Sequence, residues 1–179
     1  MSLVLLGVAA ANSVALEGAV LLLVARGLST AMLMLLSGAV EERTRTRSIK
    51  ALGGLAAQLP RLAGFWFFAV LTLMGIPLLA GFVAEFLLFT GSFPAHRIAT
   101  VLVLATLVIN TGGLLWVAHR VFFGPVKDTF ARAKDATALE LSYLIPMVGA
   151  GLFVGLRPGA LTPVITNGIL QITTRLSGG

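Results

Sequence analysis

The chain has 179 residues, of which 58% are hydrophobic and only 11% charged, with a formal net charge of +6. A soluble domain carries roughly 25% charged residues, so this composition predicts an integral membrane protein. Because cysteine is absent, disulfides, thiolate metal sites and iron–sulfur ligation by this chain are excluded. Two distant histidines, His96 and His119, make a metal site implausible. The positive charge fits basic membrane loops better than nucleic-acid binding.

Charged residues divide the chain into about five hydrophobic segments, which predict an all-α, polytopic membrane helix bundle. The segments cover residues 3–16, 18–40, 62–93, 98–118 and 141–156. The first would reach only about 21 Å as a helix, less than the roughly 30 Å hydrocarbon core, so we expect it to be a truncated first helix. The third would reach about 48 Å. Since it contains Gly75, Pro77 and Gly81, we expect a broken helix whose halves meet near mid-membrane.

The basic residues predict the orientation of the bundle. Alternating spans put two basic loops on one side, which we assign to the cytoplasm or matrix, and the C-terminus on the other. No signal or transit peptide is recognised at the start, which favours a bacterial cytoplasmic membrane or a mitochondrial inner membrane. Residues 1–158 are predicted to form the transmembrane bundle and 159–179 an amphipathic tail. The loop cations are Arg43, Arg45, Arg47, Lys50, Arg61, Arg120, Lys127, Arg132 and Lys134, against Arg97, Arg157 and Arg175; the apolar tail residues are Leu161, Ile165, Ile169, Ile172 and Leu176.

Glu85 is the strongest candidate for chemistry. A carboxylate inside an apolar stretch is costly and rarely present without a use. Burial and the nearby helix N-terminus act on its ionisation in opposite directions, which can poise it to exchange protons near neutral pH. The alternative is a buried cap or ion-pair partner that never titrates. Arg26 is the other intramembrane charge; it can hold or tune a charge but cannot relay protons, and the alternative for it is a contact with lipid head groups.

Further polar residues are candidates for a water-lined path. Thr30 and Ser37 share the helical face of Arg26. Thr106 and Asn110 share a face of the fourth segment, where helix packing is the favoured interpretation. His119 ends that segment and can titrate, although an interfacial role is favoured. The sequence contains no recognisable catalytic set, cofactor site or metal site.

Six short motifs resemble one family as a set. They are ARGLSTA at 25–31, ERTRTR at 42–47, LGGL at 52–55, GIP at 75–77, GFVAEF at 81–86 and RVFFGP at 120–125. In order and spacing over about residues 3–127 they are similar to the antiporter-like subunit M, or chain 4, family of respiratory NADH:quinone oxidoreductase (complex I).

This resemblance implies a proton-pumping module with about fourteen helices and buried ionisable residues at the membrane midplane. Glu85 matches the glutamate of the second broken helix, which is thought to exchange protons with one side. NADH, FMN, iron–sulfur clusters and quinone are implied on other subunits, with no cofactor on this chain. The implied partners are other antiporter-like and small membrane-arm subunits, and lipid.

The sequence departs from the family in two respects. Arg26 stands where the family has a histidine, and the match covers only about the last third of the family. We therefore expect a split subunit, with a separate chain supplying the missing N-terminal helices, or a structural remnant. Two alternatives remain open: a subunit of a related cation/proton antiporter or membrane-bound hydrogenase, and a non-pumping structural subunit.

Overall fold

The computed structural model describes residues 1–125 and 134–168, and in these ranges every regular element is a helix. Within these ranges three helices, Ser13–Thr44, Arg97–Phe122 and Ala138–Leu156, are long and apolar enough to cross a membrane, and Pro60–Leu73 and Ala80–Ser92 are shorter apolar helices. The predicted membrane helix bundle is thereby confirmed. The helices are α1 (Ser2–Ala9), α2 (Ser13–Thr44), α3 (Leu55–Gln58), α4 (Pro60–Leu73), α5 (Ala80–Ser92), α6 (Arg97–Phe122) and α7 (Ala138–Leu156), followed by a 3₁₀ turn (Pro158–Ala160) and helical residues 162–168.

The first hydrophobic segment is divided by a polar residue and not by a charge. Asn12 caps α2: its side-chain oxygen accepts a hydrogen bond from the Ala15 N–H at 2.8 Å, which satisfies one otherwise unpaired donor of the first helical turn. Its side-chain nitrogen donates to the Gly91 carbonyl at 2.7 Å. Residues 13–16, predicted to belong to the truncated first helix, therefore begin α2.

The predicted broken helix is observed as α4 and α5. Pro77 lies in the connection, where it cannot donate a backbone hydrogen bond. Two residues there have left-handed backbone angles, Gly75 at φ +67° and Leu78 at φ +79°. The half-helices approach so closely at this connection that a Cβ at Gly81 would collide with the Thr72 carbonyl oxygen. The two half-helices therefore stay in contact at the break.

Helices α2 and α5 make the most extensive helix–helix contact among the described residues. They pack closely because their interface contains glycines, which have no side chain. A Cβ at Gly18 would collide with the Leu88 backbone, and one at Gly91 with the Ala15 backbone. Small residues of this kind let membrane helices approach to backbone contact. This contact fixes the height of α5 against α2.

Backbone and side-chain contacts group the helix ends at two faces of the bundle. At one, which we call the basic end, the Arg61 N–H donates to Asp135 at 2.9 Å and the Gly54 N–H to the Phe123 carbonyl at 3.4 Å. The basic end thus holds the end of α2, the start of α4, the end of α6 and the start of α7. Two apolar cores fill the bundle: one toward the basic end around Leu36, Leu62, Phe122 and Leu144, and one toward the opposite end around Leu6, Leu22, Ala84, Leu88 and Val154.

The start of the predicted amphipathic tail folds onto the bundle. Leu161 and Ile165 pack against the core toward the opposite end, and the Thr166 hydroxyl donates to the Glu17 carboxylate on α2. The remaining apolar residues of that prediction, Ile169, Ile172 and Leu176, lie outside the described residues, as do the loop cations Lys127 and Arg132 and the tail residue Arg175.

Candidate functional site

The structure brings the two intramembrane charges together. An Nη2 nitrogen of Arg26 lies 3.0 Å from Oε1 of Glu85. Arg26 is near the middle of the 32-residue α2, and Glu85 is on the second turn of α5. Their side chains are 25% and 9% exposed, respectively. This is an ion pair between two helices, shielded from bulk solvent on most sides.

The helix break leaves room for the carboxylate. Gly75 lies so close to Glu85 that a Cβ at this position would collide with Oε2. Its left-handed φ of +67° is also a conformation that glycine adopts without steric cost. Gly75, Pro77 and Gly81 therefore shape the wall of the site as well as breaking the helix. Since Glu85 lies beyond the first turn of α5, Arg26 and not the helix dipole is its principal electrostatic partner.

Arg26 has donor capacity beyond this pair. Its Nε is buried and makes no hydrogen bond within residues 1–125 and 134–168. A guanidinium carries five N–H donors, and a buried donor without a partner costs roughly 1–3 kcal/mol. Water or an acceptor from a neighbouring chain would relieve that cost.

Glu85 opens onto an apolar cleft of about 730 Å³ between α5 and α6. Aromatic side chains dominate its walls, and Glu85 lies beside Gly75 in the lining. The aromatic residues are Phe82, Phe86, Phe89 and Phe93. Removing water from a carboxylate penalises its charged form and at the same time strengthens its attraction to a nearby cation, so the charged form of Glu85 depends on its pair with Arg26.

A second cleft, of about 820 Å³, is lined in part by the polar face of α2. Thr30 and Ser37 are exposed and line it. At the basic end the same cleft is bordered by Glu41 and Arg47, which form an exposed ion pair at 2.7 Å. From Arg26 to Glu41 the face runs for about 22 Å along the helix. The polar face therefore connects the level of the buried pair with the basic end.

The other candidates lie elsewhere. His119 is an exposed residue in the last turn of α6, with its ring 5.9 Å from that of Phe123. Thr106 and Asn110 are exposed on α6, and the Thr106 hydroxyl donates to the Leu102 carbonyl of its own helix at 2.9 Å. Arg26 and Glu85 are thus in direct contact. His119, Thr106 and Asn110 do not contact this pair.

Sequence reasoning missed a second buried ion pair, between Arg43 and Glu140. Two Arg43 nitrogens donate to the two Glu140 carboxylate oxygens at 2.9 and 2.6 Å. Glu140 also completes a capping box with Thr137 at the start of α7. The Thr-x-x-Glu spacing before an apolar run was visible in the sequence and signals such a helix start. No group of three or more potential metal-ligating side chains occurs in the part of the chain that the structure describes.

Comparison with known proteins supports the resemblance seen in the motifs. A family model described as NADH:quinone oxidoreductase/Mrp antiporter, TM matches residues 1–110. NADH-quinone oxidoreductase subunit M of Rhodobacter capsulatus is 31% identical over 166 residues, covering 92% of this chain and 32% of the relative. F(420)H(2) dehydrogenase subunit M of Methanosarcina mazei is 28% identical over 178 residues, covering 99% of this chain and 36% of the relative.

A solved structure is also similar. A chain of respiratory complex I from Thermus thermophilus with bound NADH superposes with a TM-score of 0.85 at 28% identity. The match covers 94% of this chain and 36% of that one. The chain thus spans about a third of the length of the relatives that it matches. Because the family model covers more than half of its residues, the chain belongs to the family of NADH:quinone oxidoreductase and Mrp antiporter transmembrane proteins.

Proposed function

We propose that this chain is part of a proton-translocating membrane subunit of NADH:quinone oxidoreductase. Glu85 is the carboxyl that accepts and releases a proton, and Arg26 is the fixed charge that tunes it. The redox groups, namely NADH, FMN, iron–sulfur clusters and quinone, belong to other subunits of the complex. The chain contributes translocation and no redox site.

One observation carries this proposal: the Arg26–Glu85 pair lies beside the break between α4 and α5. Ionisable groups at broken membrane helices are typical of ion-translocating proteins. The pair is also adjustable, since protonation of Glu85 removes its charge and frees Arg26 to find another acceptor. The buried Nε of Arg26, which bonds nothing within the described ranges, is consistent with such an alternative partner.

The proton reaches Glu85 through water, because a guanidinium does not release its proton at working pH. The polar face of α2, with Thr30 and Ser37, is the proposed route from the basic end. His119, an exposed residue at that end, is a proposed member of the route, and Thr106 and Asn110 are secondary candidates on α6. In this arrangement the basic end faces the cytoplasm or matrix.

The rest of the pump lies outside the residues described. Since the chain spans about a third of its relatives, the proposal requires further antiporter-type helices, either in a separate chain or in the same polypeptide. Other antiporter-like and small membrane-arm subunits, together with lipid, complete the surroundings. Purification of the intact assembly from native membranes, followed by mass spectrometry of its subunits, tests this arrangement. Recovery of those helices in the same polypeptide would refute the split subunit and leave the role of Glu85 standing.

The role of Glu85 is tested with Glu85→Gln in the assembled complex, with Glu85→Asp as the matched control. We expect the glutamine variant to lower the number of protons pumped per electron while leaving assembly intact, and the aspartate variant to retain part of the pumping. Unchanged proton stoichiometry in Glu85→Gln would contradict the proposal.

A second candidate is a non-pumping structural subunit, and the ion pair itself favours it. A carboxylate held by a permanent cation can serve only to join α2 and α5. In that case a double variant, Arg26→Met with Glu85→Leu, assembles and leaves pumping unchanged, because replacing a buried pair by apolar residues is often neutral for stability. Loss of pumping in an assembled double variant rejects the structural role.

The family description also includes Mrp antiporters, which supports a third candidate, a subunit of a cation/proton antiporter. A subunit of a membrane-bound hydrogenase is the related alternative. Its partners separate it from the main proposal. Co-purification with quinone-reductase subunits supports the main proposal, and co-purification with hydrogenase or antiporter subunits supports the alternative.

A further inference from the structure

A pocket at the basic end lies away from the Arg26–Glu85 pair. It has a volume of about 460 Å³ and is formed where the end of α2 meets the start of α7. Its lining combines charged groups from both sides, Arg45 and Lys134 among them, with the α7 side chains Leu139 and Tyr143. Since α2 and α7 are both membrane-spanning in length and hydropathy, the pocket lies at the edge of the apolar region.

The third cation of the pocket, Arg43, is already engaged. Besides its two bonds to Glu140, it donates to the backbone carbonyls of Ala39 at 2.8 Å and Lys134 at 2.6 Å. This bonding fixes the wall between α2 and α7. Arg43 therefore builds the pocket and has little capacity left for a ligand.

The side chains of Arg45 and Lys134 are different. Both residues are exposed, and neither side chain makes a hydrogen bond or ion pair with residues 1–125 or 134–168. The remaining carboxylate of the pocket is Glu42, which is also exposed. With Arg43 and Glu140 neutralising each other, two cations and one anion remain among the described lining residues. A ligand group with a single negative charge would make the pocket neutral.

The apolar side of the pocket continues along α7. Leu139 is 73% exposed, and Tyr143 follows one turn later on the same helical face. Pro146 and Ala150, both exposed, extend that face toward the opposite end. An inorganic anion would make no apolar contact with this surface, whereas the acyl chain of a lipid would cover it.

We propose that this pocket binds the head group of an anionic phospholipid. Its phosphodiester lies between Arg45 and Lys134, and its glycerol and acyl chain follow Leu139 and Tyr143 along α7. Basic pockets between membrane helices are suited to acidic lipid head groups. The net charge of one phosphodiester matches the net charge of the pocket.

The proposal is tested by lipid binding to the purified full-length assembly in detergent. The probe is dioleoyl phosphatidylglycerol, with dioleoyl phosphatidylcholine and inorganic phosphate as comparison ligands. We expect Arg45→Gln combined with Lys134→Gln to weaken phosphatidylglycerol binding by about 10- to 30-fold, since each surface cation contributes on the order of 1 kcal/mol. Phosphatidylcholine should bind weakly and equally to both proteins.

The matched control is Arg47→Gln combined with Arg61→Gln, which removes the same charge at the basic end outside this pocket. An equal loss of binding in the control would overturn the proposal in favour of nonspecific attraction. Competition by millimolar inorganic phosphate, or no effect of Leu139→Ser, would overturn it in favour of a free anion site. Selective loss in the pocket variant, with reduced binding in Leu139→Ser, supports the lipid.

Discussion

Gly75 and Glu85 meet across the break between α4 and α5, so close that the carboxylate occupies the space where a side chain at residue 75 would begin. The other oxygen of the same carboxylate lies 3.0 Å from Nη2 of Arg26. The break is therefore part of the site: it both interrupts the helix and makes the cavity in which a charged group is held inside the bundle.

This relationship predicts a strong effect of Gly75→Ala. An alanine at φ +67° costs about 1–2 kcal/mol, and its Cβ displaces the Glu85 carboxylate from Arg26. We expect a lower melting temperature of the purified assembly and a loss of proton pumping exceeding the loss of electron transfer. Gly64→Ala in α4 is the matched control, since a Cβ there meets nothing within 4 Å. Equal effects of the two variants would show that Gly75 has no special part in the site.

A second prediction concerns the approach of α5 to α2. Gly18→Ala places a methyl group against the Leu88 backbone, which cannot yield without moving a helix, and overpacking of this kind costs typically 1–3 kcal/mol. We expect reduced assembly and a lower melting temperature. Gly38→Ala lies on the same helix with nothing within 4 Å of the added carbon, so it should leave stability unchanged or raise it slightly. A tolerated Gly18→Ala would contradict the proposed close packing.

The general architecture was predictable because lipid imposes simple rules. Long uncharged runs form helices in a membrane, and Pro77 with its neighbouring glycines marked the break. The prediction was less accurate at the start of α2. Charged residues were used to separate the hydrophobic segments, but α2 begins after Asn12, a neutral residue that caps the helix.

The partner of Glu85 could not be derived from helical periodicity alone. Arg26 and Glu85 are 59 positions apart in sequence, and their contact depends on how far α5 slides along α2. That register is set by Gly18 and Gly91, whose interhelical role is invisible without coordinates. The ion pair of Arg43 and Glu140, which are separated by 97 positions, was not predicted for the same reason. Thr137 and Glu140 did indicate locally that a helix begins there.

The Arg43–Glu140 pair predicts how α7 is attached. Both side chains are about 90% buried, and removing one member of such a pair is costly, typically 3–5 kcal/mol, because it strands the other charge. We expect Arg43→Met to destabilise the assembly and to increase protease sensitivity at residues 134–137, directly before α7. Arg47→Gln breaks an exposed pair with Glu41 and should change neither measurement. Similar results for both variants would place the attachment of α7 elsewhere.

The last prediction concerns strain at the break. Leu78 has φ +79° and is 68% exposed, so it carries the steric cost of a left-handed L-residue with little packing in return. Leu78→Gly should therefore raise the melting temperature, by an amount equivalent to about 1 kcal/mol. The neighbouring Leu79→Gly has the opposite expectation: Leu79 is 7% exposed with φ −101°, so it loses packing worth roughly 2–5 kcal/mol and gains no relief. If proton pumping falls in the stabilised Leu78→Gly variant while electron transfer continues, the strained backbone contributes to the work of the site as well as to its shape.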